Sequence, residues 1–160
     1  MNLHQIALLL LALGLGPATA QLAAQCNFVG FSDGSSSEPP AYTARCSRAV
    51  GAPVDICSQL QISHCLANQD GSLELPASPS SPSFKDTCPS CRVDASGMEL
   101  ICLCQRHDQT YNYTSVDLNA IFIIDNGVLT CPTTMGEIMT ECPVTRLGDP
   151  PGKRQQFVIF

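Results

Sequence analysis

The sequence predicts an all-β, disulfide-stapled domain built from two copies of one unit. Three observations predict it. The chain has ten cysteines, an apolar leader that assigns them to an oxidising compartment, and a strand–turn pattern that recurs on both sides of a Ser/Pro-rich break.

The leader comes first, because it decides how the cysteines are read. An apolar stretch from Ile6 to Leu15 is followed by Gly16-Pro17 and the small-residue pattern Ala18-Thr19-Ala20. That is a signal-peptide h-region with an A-x-A cleavage site, too short to span a bilayer. Residues 1–20 are expected to be removed, leaving Gln21 as the new amino terminus. Its n-region is unusual, with only His4 as a side-chain cation. No later stretch reaches the ~18 apolar residues of a membrane span. The expectation is a secreted, extracellular protein.

All fourteen acids and all eight Lys/Arg follow residue 20, so the remaining chain keeps a net charge of −6. Without a basic cluster, such a chain is a poor partner for nucleic acid or an anionic membrane. Cys26, Cys46, Cys57, Cys65, Cys88, Cys91, Cys102, Cys104, Cys131 and Cys142 all lie in this part. An even count in a secreted chain implies a full set of disulfides. Trp is absent and aromatics are few, so crosslinks supplement a modest core.

Residues 76–83, Pro-Ala-Ser-Pro-Ser-Ser-Pro-Ser, suit neither helix nor central strand and read as a linker or hinge. A second break, Ser32 to Pro40, reads as a long loop within the first half. The expected organisation is one domain over 21–142: repeat one at 25–75, the hinge at 76–83, repeat two at 84–131, and a disulfide-closed extension at 132–142. Residues 143–160 read as a tail. It carries Lys153-Arg154, a candidate processing pair, before Gln155 to Phe160.

Laying residues 60–73 on 116–129 at a constant offset shows the duplication. Alternating apolar residues lead to a short apolar turn, then to Asp70-Gly71 or Asn126-Gly127 and a strand. Those dipeptides supply the positive φ angles of a tight hairpin turn. Upstream, Cys26 and Cys46 correspond to Cys88 and Cys104. In the second unit, Thr87 to Val93 and Met98 to Gln105 flank Asp94-Ala95-Ser96-Gly97, a strand–turn–strand pattern.

With Ser96-Gly97 as the loop, Val93 faces Leu100 and Cys91 faces Cys102, while Leu100, Cys102 and Cys104 share one face. Cys88 meets Cys104 if Pro89 adds a one-residue irregularity. The expected bridges are Cys88–Cys104, Cys91–Cys102 and, by analogy, Cys26–Cys46. The leftover cysteines suggest Cys57–Cys65 and Cys131–Cys142, although sequence alone does not settle connectivity.

The second half runs Cys88, Leu100, Cys104, then Tyr113 through Asn119, then Asn126-Gly127-Val128-Leu129. The first half carries a similar signature in Tyr42 to Cys46 and in Ser58 to Leu73. Across roughly residues 25–131 the chain resembles the cyanovirin-N homology family, and its extra cysteines resemble those of secreted fungal members. The resemblance implies a tandem-repeat, elongated all-β domain in which strands exchange between the halves. It also implies non-catalytic binding of mannose-containing glycans, at two sites where one repeat's hairpin meets the other.

Carried over by position, one site gathers Asn68, Asp70, Lys85, Asp86, Thr87, Arg106, His107, Asp108 and Gln109. Sugar hydroxyls are donors and acceptors at once, and such side chains are complementary to them. The bland alternative is a solvated loop at Arg106 to Gln109. The opposite site would use Gln25, Ser47, Arg48, Asp125 and Asn126. There Ile124, preceded by Ile123, replaces the family's Asn before the turn, which removes hydrogen-bonding capacity and makes this the weaker end. The two isoleucines would enlarge the core or form a protein-facing patch.

Other chemistries compete less well. Cys88-Pro89-Ser90-Cys91 has redox spacing, but strand and turn follow it rather than a helix. Zinc on Cys88, Cys91, Cys102 and Cys104 is chemically sound, yet disulfides are the default for a secreted chain. His64 reads as an exposed turn residue. No nucleophile elbow, paired-His motif or phosphate loop occurs, and Asp108 and Asp117 do not make a glycosidase pair. No enzyme activity, metal or cofactor is expected. Asn112-Tyr113-Thr114 is a glycosylation sequon, and the Ser/Pro hinge suits O-linked sugar.

Two functional classes follow. One is a secreted lectin-like protein for oligosaccharides or glycoprotein glycans. The other is a cysteine-rich protein that kept the fold and acts on a protein or cell wall without sugar binding. A monomer is expected, with strand exchange between chains as the alternative.

Overall fold

The structure, a computed structural model, describes residues 21–35 and 37–143. The expected signal segment and most of the expected tail, including Lys153-Arg154, lie outside the described residues. The first half runs α1 (Gln21–Gln25), β1 (Cys26–Ser32), β2 (Ala41–Ser47), β3 (Val54–Gln61), β4 (Ala67–Gln69) and β5 (Ser72–Glu74). The second runs β6 (Ser90–Val93), β7 (Glu99–Gln105), β8 (Tyr111–Asp117), β9 (Ile123–Asp125) and β10 (Val128–Cys131), followed by β11 (Thr134–Met135) and β12 (Glu137–Ile138).

Each half is an antiparallel three-stranded meander followed by a short hairpin. The meanders are β1-β2-β3, widened by β12 on β3, and β6-β7-β8. The hairpins are β4-β5 and β9-β10, the latter extended by β11. Both hairpin turns take the left-handed pair their sequences demand: φ is 48° at Asp70 and 88° at Gly71, against 50° at Asn126 and 86° at Gly127.

Each hairpin sits against the other repeat's meander. The Leu73 amide donates to Thr114 Oγ1 on β8 (3.4 Å), and the Leu129 amide donates to Ser58 Oγ on β3 (3.0 Å). The halves therefore exchange strands, and neither closes its core alone.

The core is one cluster across both repeats. Leu22, Leu60, Ile62, Leu66, Leu100, Leu118 and Leu129 are fully buried, each worth about 1.5–3 kcal/mol in apolar burial. At the centre, Tyr42 stacks between Phe28 (5.2 Å) and Phe122 (5.1 Å). Its hydroxyl donates to the Gly97 carbonyl at 2.8 Å, crossing from repeat one to repeat two. Burial, with Asp94 adding, pushes this phenol far above its usual range and keeps it a neutral donor. The α1 turn ties the start of repeat one to repeat two: Leu22 enters the core, and the Ala23 amide donates to Asn119 Oδ1 at 3.0 Å.

The β6–β7 register pairs Val93 with Leu100 and Cys91 with Cys102. Strand β6 is shorter than the expected Thr87–Val93, because Pro89 lacks the amide that would extend the ladder. The turn is also wider than a two-residue loop. Asp94 accepts from the amides of Ser96, Met98 and Glu99.

All ten cysteines are paired. Cys26–Cys46, Cys88–Cys104 and Cys91–Cys102 form as expected, which leaves no thiolate for redox chemistry or zinc. The other two bridges differ from expectation. Cys57–Cys65 and Cys131–Cys142 do not form; the bonds are Cys57–Cys142 and Cys65–Cys131. Strand β3 carries the chain away from Cys57, so by its end at Gln61 it has advanced about 13 Å at ~3.3 Å per residue. A disulfide needs Cα atoms within about 7 Å.

Tertiary contacts supply nearer partners. The Met139 amide donates to the Cys57 carbonyl (2.9 Å) and Thr133 Oγ1 to the His64 carbonyl (2.8 Å). The extension after Cys131 is thus stapled to repeat one rather than closed on itself. Residues 76–83 contain neither helix nor strand.

Candidate functional site

The end of the molecule at the β4–β5 turn collects polar side chains from both repeats. Asn68 holds this end together: its Oδ1 accepts the Gly71 amide (2.8 Å), while its Nδ2 donates to Thr87 Oγ1 (2.9 Å) and to the Gln105 carbonyl (2.7 Å). Asp70 Oδ1 accepts the His107 amide at 2.9 Å. Its carboxylate also lies 3.8 Å from both Arg106 Nη2 and His107 Nδ1.

The 106–109 turn is closed from within. The Gln109 amide donates to the Arg106 carbonyl, and Gln109 itself takes a φ of 66°. Asp108 Oδ1 accepts from the Thr110 amide and hydroxyl. The Thr110 hydroxyl, more than any other group, holds this exposed carboxyl below the usual carboxylate range. Arg106 and Asp70 are 48% exposed and His107 is 88% exposed, so the hydrogen-bonding groups face solvent on a rigid frame.

Gly71 is required here. A Cβ on it would lie 2.7 Å from Arg106 Cγ.

The carried-over residues do not all meet. Asn68, Asp70, Thr87 and the Arg106–Gln109 turn share this end. Lys85 instead pairs with Asp33 Oδ1 at 2.7 Å and donates to the Pro89 carbonyl, while Asp86 lines a separate cleft beside Ser35 and Ser83. One neighbour went unassigned to this end from sequence: Asn112, whose Nδ2 lies 3.5 Å from the Gly71 carbonyl. The sequon is its signal.

The opposite end has the same backbone and different chemistry. Ile124 occupies the position of Asn68 and is buried in the core, so apolar packing replaces the cross-repeat hydrogen bonds. Ser47 and Gln25 are buried, with Ser47 Oγ donating to the Ala49 carbonyl at 2.8 Å. Arg48, Asp125 and Asn126 are exposed, and Asn126 Nδ2 donates to Asp125 Oδ1. Where repeat two has His107-Asp108-Gln109, repeat one has Ala49-Val50-Gly51. The isoleucine pair divides its roles: Ile124 joins the core, and Ile123 is 50% exposed beside an open cleft of about 530 Å³ with Met135.

The CVNH domain model matches residues 22–130, and again residues 84–157. The chain belongs to the CVNH family. Two solved CVNH-type structures share its fold. One is GzCVNH from Gibberella zeae, 18% identical with a TM-score of 0.53, covering 70% of this chain and 97% of that one. The other is microvirin, solved with mannobiose, 20% identical with a TM-score of 0.51, covering 69% of this chain and 97% of that one. No curated protein matches significantly. The second match, beginning at residue 84, reflects the CVNH repeat itself. Among the described residues, no helix is long and apolar enough to cross a membrane.

Proposed function

We propose that this CVNH protein is a secreted, non-catalytic lectin that binds a mannose-containing oligosaccharide at the β4–β5 end. The observation that carries the reading is the cluster of Asp70, Arg106, His107, Asp108 and Gln109, mounted on the Asn68 junction. It offers charged acceptors, a guanidinium and an amide within one turn-sized, solvent-facing patch. Such groups form the stronger, charge-assisted hydrogen bonds to hydroxyls. Five disulfides suit an extracellular setting. Microvirin's complex with mannobiose supports the choice of sugar.

A glycan array on the purified protein, followed by titration with mannobiose, tests the proposal. Mannose-terminated glycans should be retained, and binding to no glycan at high protein concentration would overturn the reading. A second reading, protein binding without sugar, is favoured by exposed Ile123 and Met135, which flank Thr130 on one rung of the β9-β10-β11 sheet. An empty array together with an interaction weakened by Ile123→Ser would support it.

A further inference from the structure

We infer that Asn112 carries an N-linked glycan that folds back over the Asp70–Arg106 face and competes there with external sugar. The attachment follows from sequence and exposure alone; the competition rests on the carbohydrate reading of this face. Asn112-Tyr113-Thr114 satisfies the sequon, with no proline in the middle position. Asn112 is exposed on β8, an edge strand of the β6-β7-β8 sheet. Among the described residues its Nδ2 makes one hydrogen bond, 3.5 Å to the Gly71 carbonyl, at the limit of such a bond. Attachment there would cost little.

The placement gives the glycan a consequence. Gly71 lies between the two side chains that matter: a Cβ built on it would come 2.7 Å from Arg106 Cγ and 3.6 Å from Asn112 Cβ. Asp70 is the next residue back along the turn, so a sugar on Asn112 Nδ2 starts against the candidate site. Eukaryotic N-glycans end their common core in mannose, the sugar class proposed for this face. Tethering raises the local concentration of that sugar to about the millimolar range. An external probe with an intrinsic Kd near 0.1 mM would then appear roughly tenfold weaker.

The test uses the full chain secreted from yeast. Intact mass, before and after treatment with peptide-N-glycosidase, reports the attachment. A releasable glycan mass, absent in Asn112→Gln, is expected, and its absence overturns the inference. Mannobiose titration then compares three forms: fully glycosylated protein, protein trimmed by an endoglycosidase to one N-acetylglucosamine, and Asn112→Gln. The last two should bind about tenfold more tightly, and equal affinities overturn the competition.

If no form binds mannobiose, the proposed lectin activity fails separately. Amide spectra of full and trimmed protein still decide whether the glycan lies on the face. Shifts at Asp70, Gly71, Arg106 and His107 uphold it, and unchanged spectra overturn it.

Discussion

The Asn68 carboxamide belongs to repeat one and the Gln105 carbonyl to repeat two, and the 2.7 Å hydrogen bond between them sets the polar end of the molecule. Asn68 also reaches Thr87 and Gly71, so its hydrogen-bonding capacity is spent on framing the site. Asn68→Ala is expected to cost about 1–3 kcal/mol by leaving partners unmet. Thermal unfolding should show it as a lower Tm, with mannobiose binding weakened through loss of the frame.

Asp70 has two roles that substitution can separate. Asp70→Asn keeps an acceptor for the His107 amide and removes the charge beside Arg106, whereas Asp70→Ala removes both. Titration calorimetry should rank binding as wild type, then Asn, then Ala, with the last at least tenfold weaker. Asp125→Ala, at the opposite end, should leave binding unchanged. Equal losses at the two ends would show that sugar does not distinguish them.

Acid should loosen the β6–β7 hairpin in a defined window. Asp94 is slightly desolvated, which works against ionisation, but hydrogen bonds from Ser96, Glu99 and Met98 lower its pKa from 3.8 to about 2. A carboxyl depressed on folding stabilises the fold above its unfolded pKa, and that contribution disappears as pH falls from about 4 to about 2. Asp94 is half-buried at the head of an otherwise exposed turn, so solvent screening should hold the loss to about 1 kcal/mol. Unfolding followed from pH 6 to 2 should show this step in wild type and flatten it in Asp94→Asn. Asp108 is also held ionised below the usual range by Thr110. Protonation of this carboxyl should therefore contribute nothing to any change in mannobiose binding between neutral pH and pH 5, and Asp108→Asn should leave the shape of that pH profile unaltered.

The two inter-repeat bridges should matter most to stability. Cys65–Cys131 and Cys57–Cys142 close loops of 66 and 85 residues, each worth roughly 4–5 kcal/mol in the chain-entropy description. Cys65→Ser with Cys131→Ser should therefore lower Tm more than the same change at Cys91 and Cys102, whose loop is 11 residues. Non-reducing peptide mapping should recover both long-range bridges.

Much of this was legible in the residues because it was local. Asp70-Gly71 and Asn126-Gly127 demand tight left-handed turns, and alternation across Asp94–Gly97 placed Cys91 opposite Cys102. The departure at Ile124 was visible as a lost hydrogen bonder. Its burial, and the exposure of Ile123, were not, because one strand position separates the core face from solvent. The site was legible only as a set of names. Lys85 matched by position, yet Asp33, far away in the chain, captures its ammonium.

By itself, then, the sequence determined the repeat, the hairpin turns, the register that sets Cys91 opposite Cys102 and which end keeps its polar groups. Each depends on backbone preference or side-chain alternation over a few residues. Only the tertiary structure decided which residues join each hairpin to the other repeat, Leu73 to Thr114 and Leu129 to Ser58, that Cys57 and Cys65 each cross between halves, and that Asn112 stands beside Gly71. Those relations depend on where extended strands end in space, and no local spacing encodes that distance.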